Sequence, residues 1–385
     1  NPRPSPWQGD ALPAALRPHE LGPSPYPTGV TAPKPGGTAV TGRTAGLEHP
    51  GAVVGGLRGS GLVTVSSDLS VLDSEGRWAV AVPYTGAPVL ARFSEWQPWD
   101  GGADGAWSGP PSSAWTSSLD ERGYVAAVEA VREAIAEGTV YQANVCRILS
   151  APLGPDGDVI ALHARLAAGN PSPYGGALRL PREGVHIACA SPELFLHVAP
   201  RVGDGAVRTI RSGPIKGTGR TAADLTDKDQ AENIMIVDLV RNDLSRVCRT
   251  GSVDVPELLQ VQAHPGLVHL VSYVEGTLST KVGWQQMLQA TFPPGSVTGA
   301  PKSSALRLID AVETQERGVY CGAFGWVDAD TGEAELAVAI RTFWHDGHTL
   351  RFGTGAGITW ESDAAAEWRE TELKAERLIA LASGA

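Results

Sequence analysis

The order of the predicted secondary-structure elements constrains the fold of this chain more than any other feature. Strand-like and helical segments are mixed, without the regular βαβ rhythm that a doubly wound parallel sheet requires. The chain is therefore predicted to have an α+β fold. The predicted strands cover residues 61–67, 78–83, 89–93, 139–149, 176–180, 185–189, 268–275, 320–327, 335–342 and 350–354. The predicted helices cover residues 119–138, 159–168, 222–247 and a last segment that begins near Ser362 or Asp363 and ends near 381.

Composition divides the chain into two predicted parts. Residues 1–118 are expected to form an N-terminal arm rich in Pro and Gly followed by a β subdomain, and residues 119–385 a second, larger domain. Four tryptophans lie among Gly, Pro and Ser between residues 94 and 118. We expect this loop to pack its rings on a neighbouring surface, and a tryptophan-lined ligand groove is the alternative.

The charge and the cysteines exclude several classes of function. A net charge of −11 argues against nucleic acid or an anionic membrane as the main partner, because both attract clustered Lys and Arg. No apolar run approaches the length of a membrane span, and the N-terminus lacks the regions of a signal peptide. The four cysteines form no CxxC pair, so we expect reduced, buried thiols in a cytoplasmic protein.

One lysine has an unusual local sequence, Pro214-Ile215-Lys216-Gly217-Thr218. Pro214 fixes its own φ, and Gly217 permits a tight turn or a close approach to a ligand. A lysine held in this way can be aimed at a substrate, and desolvation would make its amine a nucleophile. An ordinary surface-turn lysine is the alternative, since lysine is usually exposed.

Two predicted helices each present acidic residues. In the last helix, Glu367, Glu370 and Lys374 share one face at positions i, i+3 and i+7, and Asp229 and Glu232 repeat the theme in the helix predicted over 222–247. An exposed, salt-bridged face is the simpler interpretation. If the helices face each other, their carboxylates could bind one hard cation, and Mg²⁺ suits a few carboxylates plus water and a substrate anion.

Several C-terminal residues could hold an anion. Arg341 follows a strand-like run and is either a solvated strand-end residue or a bidentate clamp for a carboxylate. The small residues of segment 353–357 let backbone N–H groups approach an anion. Segment 295–303 superficially resembles a P-loop, but Pro301 stands directly before Lys302 where that motif needs Gly, so we reject nucleotide hydrolysis.

Two further residues have two interpretations each. His269 lies in an apolar run, where a hydrogen-bonded core histidine is more common than a catalyst. Glu193 follows Ser191-Pro192 at the end of a predicted strand and is either a solvated turn acid or a positioned general acid.

Taken together and in this order, these segments resemble the chorismate-utilising enzymes. The resemblance implies large mixed β-sheets packed with helices on the outside, like the fold of anthranilate synthase component I. The matching blocks run from about residue 120 to the C-terminus and are residues 141–144, 170–174, 191–193, 214–218, 231–239, 241–243, 269–272, 295–302, 317–322, 339–342, 353–357 and 370–374.

Two positions separate the reactions of this family. Isochorismate and salicylate synthases carry a water-activating lysine where this chain has Gln142, which favours ammonia over water as the nucleophile. Anthranilate synthases usually carry alanine where this chain has Lys216, which favours the branch that aminates chorismate at C4. Amination at C2, giving anthranilate or 2-amino-2-deoxyisochorismate, is the alternative, as is a catalytically silent chorismate-binding subunit.

The resemblance also implies roles for the other residues. Lys216 would attack C2 of chorismate while Glu193 protonates the leaving C4 hydroxyl, and His269 is expected near the leaving group or the ring carboxylate. Ammonia, expected from a separate glutamine amidotransferase subunit, would then attack C4. The implied Mg²⁺ ligands are Glu232 and Glu370, with Asp229 and Glu367 near the water shell. The implied substrate-binding residues are Thr298, Tyr320, Arg341, Gly355, Gly357 and Lys374.

Overall fold

The computed structural model describes residues 49–154, 157–201, 207–264 and 267–384. The predicted N-terminal arm therefore falls almost entirely outside the described residues. Within them, strands and helices are interspersed, which confirms the α+β prediction.

The strands are β1 (Gly51–Val54), β2 (Leu57–Ser66), β3 (Arg77–Val82), β4 (Val89–Pro98), β5 (Thr116–Ser117), β6 (Gln142–Pro152), β7 (Tyr174–Leu180), β8 (Val185–Ser191), β9 (Leu194–Val198), β10 (Thr209–Gly213), β11 (Ile215–Gly219), β12 (Asp254–His264), β13 (Leu267–Thr277), β14 (Gly299–Ala300), β15 (Ala323–Asp328), β16 (Glu333–Val338), β17 (Thr342–His345) and β18 (Thr349–Ile358). The helices are α1 (Glu121–Ala136), α2 (Val159–Gly169), α3 (Asp227–Ser245), α4 (Trp284–Thr291), α5 (Lys302–Val312) and α6 (Ala364–Ala382).

Backbone hydrogen bonds link these strands into one large sheet. The pairings between them are antiparallel. β1 pairs with β7, β3 with β15, and β5 with β6. Strands from both sides of the predicted 118/119 boundary therefore belong to the same sheet.

Two strand pairs position the candidate site. β18 pairs with β6 from Thr349 opposite Pro152 to Ile358 opposite Ala143, and α6 packs on β18. β11 pairs with β13, and α3 packs on both of these strands. The two helices with acidic residues are therefore each fixed to one of these strand pairs.

The helical spacing of Ile234, Val237, Val240 and Leu244 predicts that these residues form the buried face of helix α3, and the structure differs at one position. Val237, Val240 and Leu244 are buried as expected, but Ile234 is 45% exposed and Ile236 is buried instead. The buried face of α3 also includes Asn233, whose Nδ2 donates to the Leu270 carbonyl of β13 at 3.2 Å. This hydrogen bond fixes the rotation of α3, so Ile234 is turned outward.

The loop of tryptophans packs on the protein, as expected. Trp107 donates from Nε1 to the Ala382 carbonyl at 2.7 Å, and Trp115 donates to Ser383 Oγ at 3.1 Å, so both rings lie against the end of α6. Trp99 stacks on His163 with ring centroids 4.8 Å apart. Trp96 was expected in the loop but lies in β4, which continues to Pro98.

Some elements were not predicted, chiefly β12 and the helices α4 and α5. β12 contains Pro256 and a left-handed residue, Leu259 with φ of 55°, and its pairing with β13 is irregular. These interruptions remove the regular alternation that identifies a strand in sequence. Two predicted strands are also shorter than expected, so Tyr320 and Arg341 lie outside regular structure, next to β15 and between β16 and β17.

All four cysteines are free and buried, in agreement with the prediction of reduced thiols. In the part of the chain that the structure describes, no helix is long and apolar enough to cross a membrane.

Candidate active site

Lys216 lies at an irregularity of the β11–β13 pair. Lys216 faces Leu270 and Thr218 faces His269, so Gly217 is an extra residue without a partner across the pair. Gly217 has a φ of +79°, and a Cβ atom there would lie 2.9 Å from Cβ of Asp229 in α3. Only glycine meets both demands without strain, and the bulge re-aims the half-buried Lys216.

The Lys216 ammonium approaches the β6–β18 pair at Gly357. A Cβ atom built at Gly357 would lie 3.0 Å from Lys216 Nζ and 2.9 Å from Gln142 Nε2. Gln142 is fully buried, and neither its amide nitrogen nor its oxygen has a hydrogen-bond partner within the described chain. Because an unpartnered buried amide is costly, these two polar groups indicate a place where a polar ligand binds.

Glu193 lies in the short connection between β8 and β9, where its N–H donates to Ser191 Oγ at 3.2 Å. Burial raises the pKa of its carboxyl to about 7, although hydrogen bonds from the Ser296 hydroxyl and the Ile215 N–H and the charge of Lys216 act in the opposite direction. Glu193 is therefore a buried acid, near Lys216, that can carry a proton at neutral pH. This placement favours the interpretation as a general acid over that as a solvated turn residue.

Arg341 occupies a kink between β16 and β17. Its φ of 52° is unusual for a residue other than glycine, and its carbonyl accepts from the Ala190 N–H at 3.1 Å. Burial lowers the pKa of the guanidinium, and the nearby Glu193 carboxylate opposes this effect. Arg341 is thus a partly buried cation beside Glu193, which is a suitable position for binding a substrate carboxylate.

The predicted metal ligands lie on the facing parts of α3 and α6. Burial raises the pKa of Glu232, and the charges of Lys216 and Lys228 act in the opposite direction. Burial also acts to raise the pKa of Glu370, but Lys374, Lys216 and Lys228 outweigh it and the pKa is lowered. The two carboxylates thus share the same lysines as neighbours. Lys216 is a charged neighbour of both Glu232 and Glu370.

Glu367 and Asp229 have other contacts. The nearly buried Glu367 accepts a hydrogen bond from Lys228 Nζ at 3.3 Å. Asp229 Oδ2 caps α3 by accepting from the Thr226 N–H at 2.8 Å and the Thr226 hydroxyl at 2.7 Å. The described residues contain no three acidic, histidine or cysteine side chains grouped tightly enough to hold a metal ion as they stand. The donor set is nevertheless carboxylate oxygen on two facing helices, which fits the chemistry of Mg²⁺.

Gly355 and Gly357 lie in β18, and Lys374 of α6 and Tyr320, just before β15, contact this strand. Lys374 donates from Nζ to the Gly355 carbonyl at 3.1 Å and pairs with Glu370 at 2.6 Å. The buried ring of Tyr320 packs on Gly353, where a Cβ atom would lie 2.0 Å from the ring. Lys374 therefore links Gly355 of β18 to Glu370. Tyr320 packs on the same strand at Gly353.

Thr298 and His269 are both buried. The Thr298 hydroxyl lies 3.1 Å from the Pro294 carbonyl, to which it donates, and the Thr298 carbonyl accepts from the Asn144 N–H in β6 at 2.7 Å. His269 lies in β13, where it pairs with Thr218 of β11. His269 is the neighbour in β13 of Leu270, which pairs with Lys216.

Lys302 confirms that segment 295–303 is not a P-loop. Its Nζ donates to Asp243 Oδ2 at 2.6 Å, to the Thr291 carbonyl at 3.1 Å and to the Pro293 carbonyl at 2.9 Å. All three donors of the ammonium are thus used within the protein.

Two residues of the site were missed from the sequence. Ser296 hydrogen-bonds Glu193, and nothing in the local sequence indicates that contact. Lys228 pairs with Glu232 at i, i+4, a spacing that is visible in the sequence once α3 is placed correctly.

Comparison with known proteins identifies the family to which this chain belongs. A family model described as chorismate binding enzyme matches residues 104–380. Anthranilate synthase component 1 of Saccharolobus solfataricus is 38% identical over 278 residues, which cover 69% of this chain and 63% of that protein. Aminodeoxychorismate synthase component 1 of Klebsiella aerogenes is 36% identical over 282 residues, covering 70% and 59%. The chain thus spans somewhat less than two thirds of these relatives.

A solved structure has the same fold. The anthranilate synthase component I from Streptococcus pneumoniae matches with a TM-score of 0.68 and 23% identity, over 90% of this chain and 94% of that one. This likeness confirms the predicted fold class. The extent of the family match, which includes the strands and helices that carry Lys216, Glu193, Glu232 and Glu370, shows that this chain belongs to the chorismate-binding enzymes.

Proposed function

We propose that this chain aminates chorismate at C4, giving 4-amino-4-deoxychorismate through a covalent intermediate on Lys216. The observation that carries the proposal is the position of Lys216, which lies against Gly357 beside the unpartnered amide of Gln142 and has Glu193 and Glu232 among its charged neighbours. A nucleophile, a proton donor and an anionic cluster thus meet at one place. A relative named aminodeoxychorismate synthase component 1 supports the same choice.

The first half of the reaction uses Lys216 and Glu193. After the Lys216 ammonium gives up one proton to solvent, its amine forms a bond to C2 of the ring, the two ring double bonds shift, and the C4–O bond breaks. The hydroxyl leaves as water with the proton of Glu193, whose raised pKa keeps it protonated near neutral pH. The new C2 amine loses one proton, so the adduct contains chorismate less one water.

The second half reverses the shift. Ammonia attacks C4, the double bonds return, and the C2–N bond to Lys216 breaks, so nitrogen stands where the hydroxyl was. The substitution is thus divided into two displacements. While Lys216 is bonded to C2, ammonia is directed to C4. We propose that a glutamine amidotransferase subunit supplies the ammonia.

The remaining residues bind and orient the substrate. Arg341 and Lys374 are the cations that would hold its carboxylates, with Gly355 and Gly357 leaving room for the ring beside β18. Mg²⁺ on Glu232 and Glu370 would neutralise the ring carboxylate and fix its orientation.

The alternative product comes from amination at C2. It is supported by the relative named anthranilate synthase component 1. Lys216 argues against it, because a nucleophile that occupies C2 directs ammonia to C4.

Product identification separates these reactions. The protein is incubated with chorismate, Mg²⁺ and ammonium, and the product is identified by mass spectrometry and NMR. We expect 4-amino-4-deoxychorismate. Anthranilate, detected by its fluorescence without an added lyase, would contradict the proposal, and the absence of any product at high ammonium would instead support a silent binding subunit.

A further inference from the structure

Lys228 connects the acidic residues of the two helices. Its Nζ lies 3.7 Å from Glu232 Oε1, one turn along α3, and 3.3 Å from Glu367 Oε1 in α6. The side chains of Glu232 and Glu367 are only 12% and 6% exposed, whereas that of Lys228 is 36% exposed. One partly exposed ammonium thus bridges two largely buried carboxylates.

The charge of this cluster depends on Lys228. Glu370 has its own partner in Lys374 at 2.6 Å. The electrostatic interactions of Lys228 are with Glu367, Glu232 and Glu370. Without Lys228, Glu367 would lose this ion pair and Glu232 would keep only Lys216 as a nearby cation, and poorly compensated buried charge is unfavourable.

The Lys228 ammonium lies next to the proposed metal position, since it is 3.7 Å from Oε1 of Glu232, one of the two proposed direct ligands, and 3.3 Å from Oε1 of Glu367. A divalent ion held by Glu232 and Glu370 would place two positive charges beside this ammonium, and the two cations would repel each other. The lysine is a flexible chain with about a third of its surface in solvent, so its ammonium can turn outward while its stem stays on α3.

We propose that Lys228 is the resident counter-ion of this carboxylate cluster and that Mg²⁺ displaces it on binding. This inference rests on the Mg²⁺ dependence of the proposed function. Lys228 therefore acts as a positioning residue: it holds α3 against α6 before the ion binds and sets the Mg²⁺ concentration at which the site fills.

The first test measures Mg²⁺ binding by calorimetry in the wild-type protein and in Lys228→Gln. Removing the competing cation should tighten Mg²⁺ binding roughly five- to tenfold, the range expected for two partly buried ion pairs. Arg241→Gln is the matched control, because Arg241 lies on the same helix in an exposed pair with Asp238 and carries the same charge. It should leave the affinity unchanged.

The second test detects the displacement itself in the wild-type protein. Lysines are methylated with formaldehyde and a borane reductant, and modification is quantified by peptide mass spectrometry with and without Mg²⁺. The ion should increase modification of Lys228 severalfold, because its ammonium is released to solvent, and should not change that of the exposed Lys281. If methylation of Lys228 is unchanged or lower when Mg²⁺ is bound, the inference is overturned.

The outcomes distinguish this inference from the proposed function. Wild-type binding that Lys228→Gln does not tighten overturns the counter-ion role and leaves the Mg²⁺ assignment intact. If neither protein binds Mg²⁺ in calorimetry, the metal assignment of the proposed function fails, and the displacement fails with it.

Discussion

The ammonium of Lys216 lies against the backbone of Gly357, so that a Cβ atom at residue 357 would stand 3.0 Å from Nζ. This contact joins β11, which carries the proposed nucleophile, to β18, which lines the proposed substrate site. It also explains why residue 357 has no side chain: the space is shared by Lys216 and the Gln142 amide.

Gly357→Ala should therefore reduce catalysis more than stability. The added methyl meets the ends of two flexible side chains, which can move, so the free energy of unfolding should change by no more than about 1 kcal/mol. Displacing Lys216 should lower kcat roughly tenfold to a hundredfold. Gly154→Ala, at a glycine with open space around it, is the control and should change neither quantity. Equal kcat for both variants would contradict the assigned contact.

The buried carboxyl of Glu193 predicts a pH dependence. A general acid acts only when protonated, and burial raises the pKa of Glu193 from its ordinary value near 4.5 to about 7. The protonated fraction falls as pH rises through that value, so kcat/KM should decline about tenfold per pH unit above it. In Glu193→Gln, kcat/KM should be roughly 10² to 10⁴ lower and should lack this limb. If the decline of kcat/KM at high pH persists in Glu193→Gln, the decline belongs to the titration of another group.

Ser296 should set the pH at which kcat/KM begins to fall. Its hydroxyl donates to Glu193 and so lowers the pKa of the carboxyl. Ser296→Ala removes this effect, and the falling limb of the pH profile should move to higher pH. Ser303→Ala, at an exposed position in α5, is the control. A shift to lower pH would mean that the hydroxyl stabilises the protonated acid instead.

Glu370 is predicted to bind the metal. Glu370→Ala removes one of the two proposed direct ligands, so the Mg²⁺ concentration for half-maximal rate should rise roughly tenfold or more. Glu376→Ala, at an exposed residue on the same helix, should leave the titration unchanged. Coincident Mg²⁺ titrations for wild type and Glu370→Ala would remove Glu370 from the metal site.

Local signals predicted much of the framework. The start of α6 is an example, because Asp363 caps it by accepting from the Ala366 N–H at 2.8 Å, as its residue type suggests. The start of α3 was placed too early. Thr221 and Asp224 cap a short 3₁₀ turn, and Thr226 and Asp229 then cap the helix itself, so two capping signals follow one another.

The features that the sequence did not reveal depend on tertiary contacts. The left-handed conformation of Arg341 follows from its place between β16 and β17, and no local residue preference predicts it. The Ser296–Glu193 contact joins residues far apart in the chain. The i, i+4 spacing of Lys228 and Glu232 indicates only one of the two ion pairs of Lys228, because the other joins it to Glu367 of a different helix.

The most direct test of the central claim is the mass of the protein after incubation with chorismate and Mg²⁺ in the absence of ammonia. We expect an added mass of chorismate less one water, on a proteolytic peptide that contains Lys216, and its loss when ammonium is added. Lys216→Arg keeps the positive charge but lacks the nucleophilic amine, and it should show neither the adduct nor C4 amination. Formation of 4-amino-4-deoxychorismate by Lys216→Arg at the wild-type rate, or an adduct on any other residue, would contradict the account.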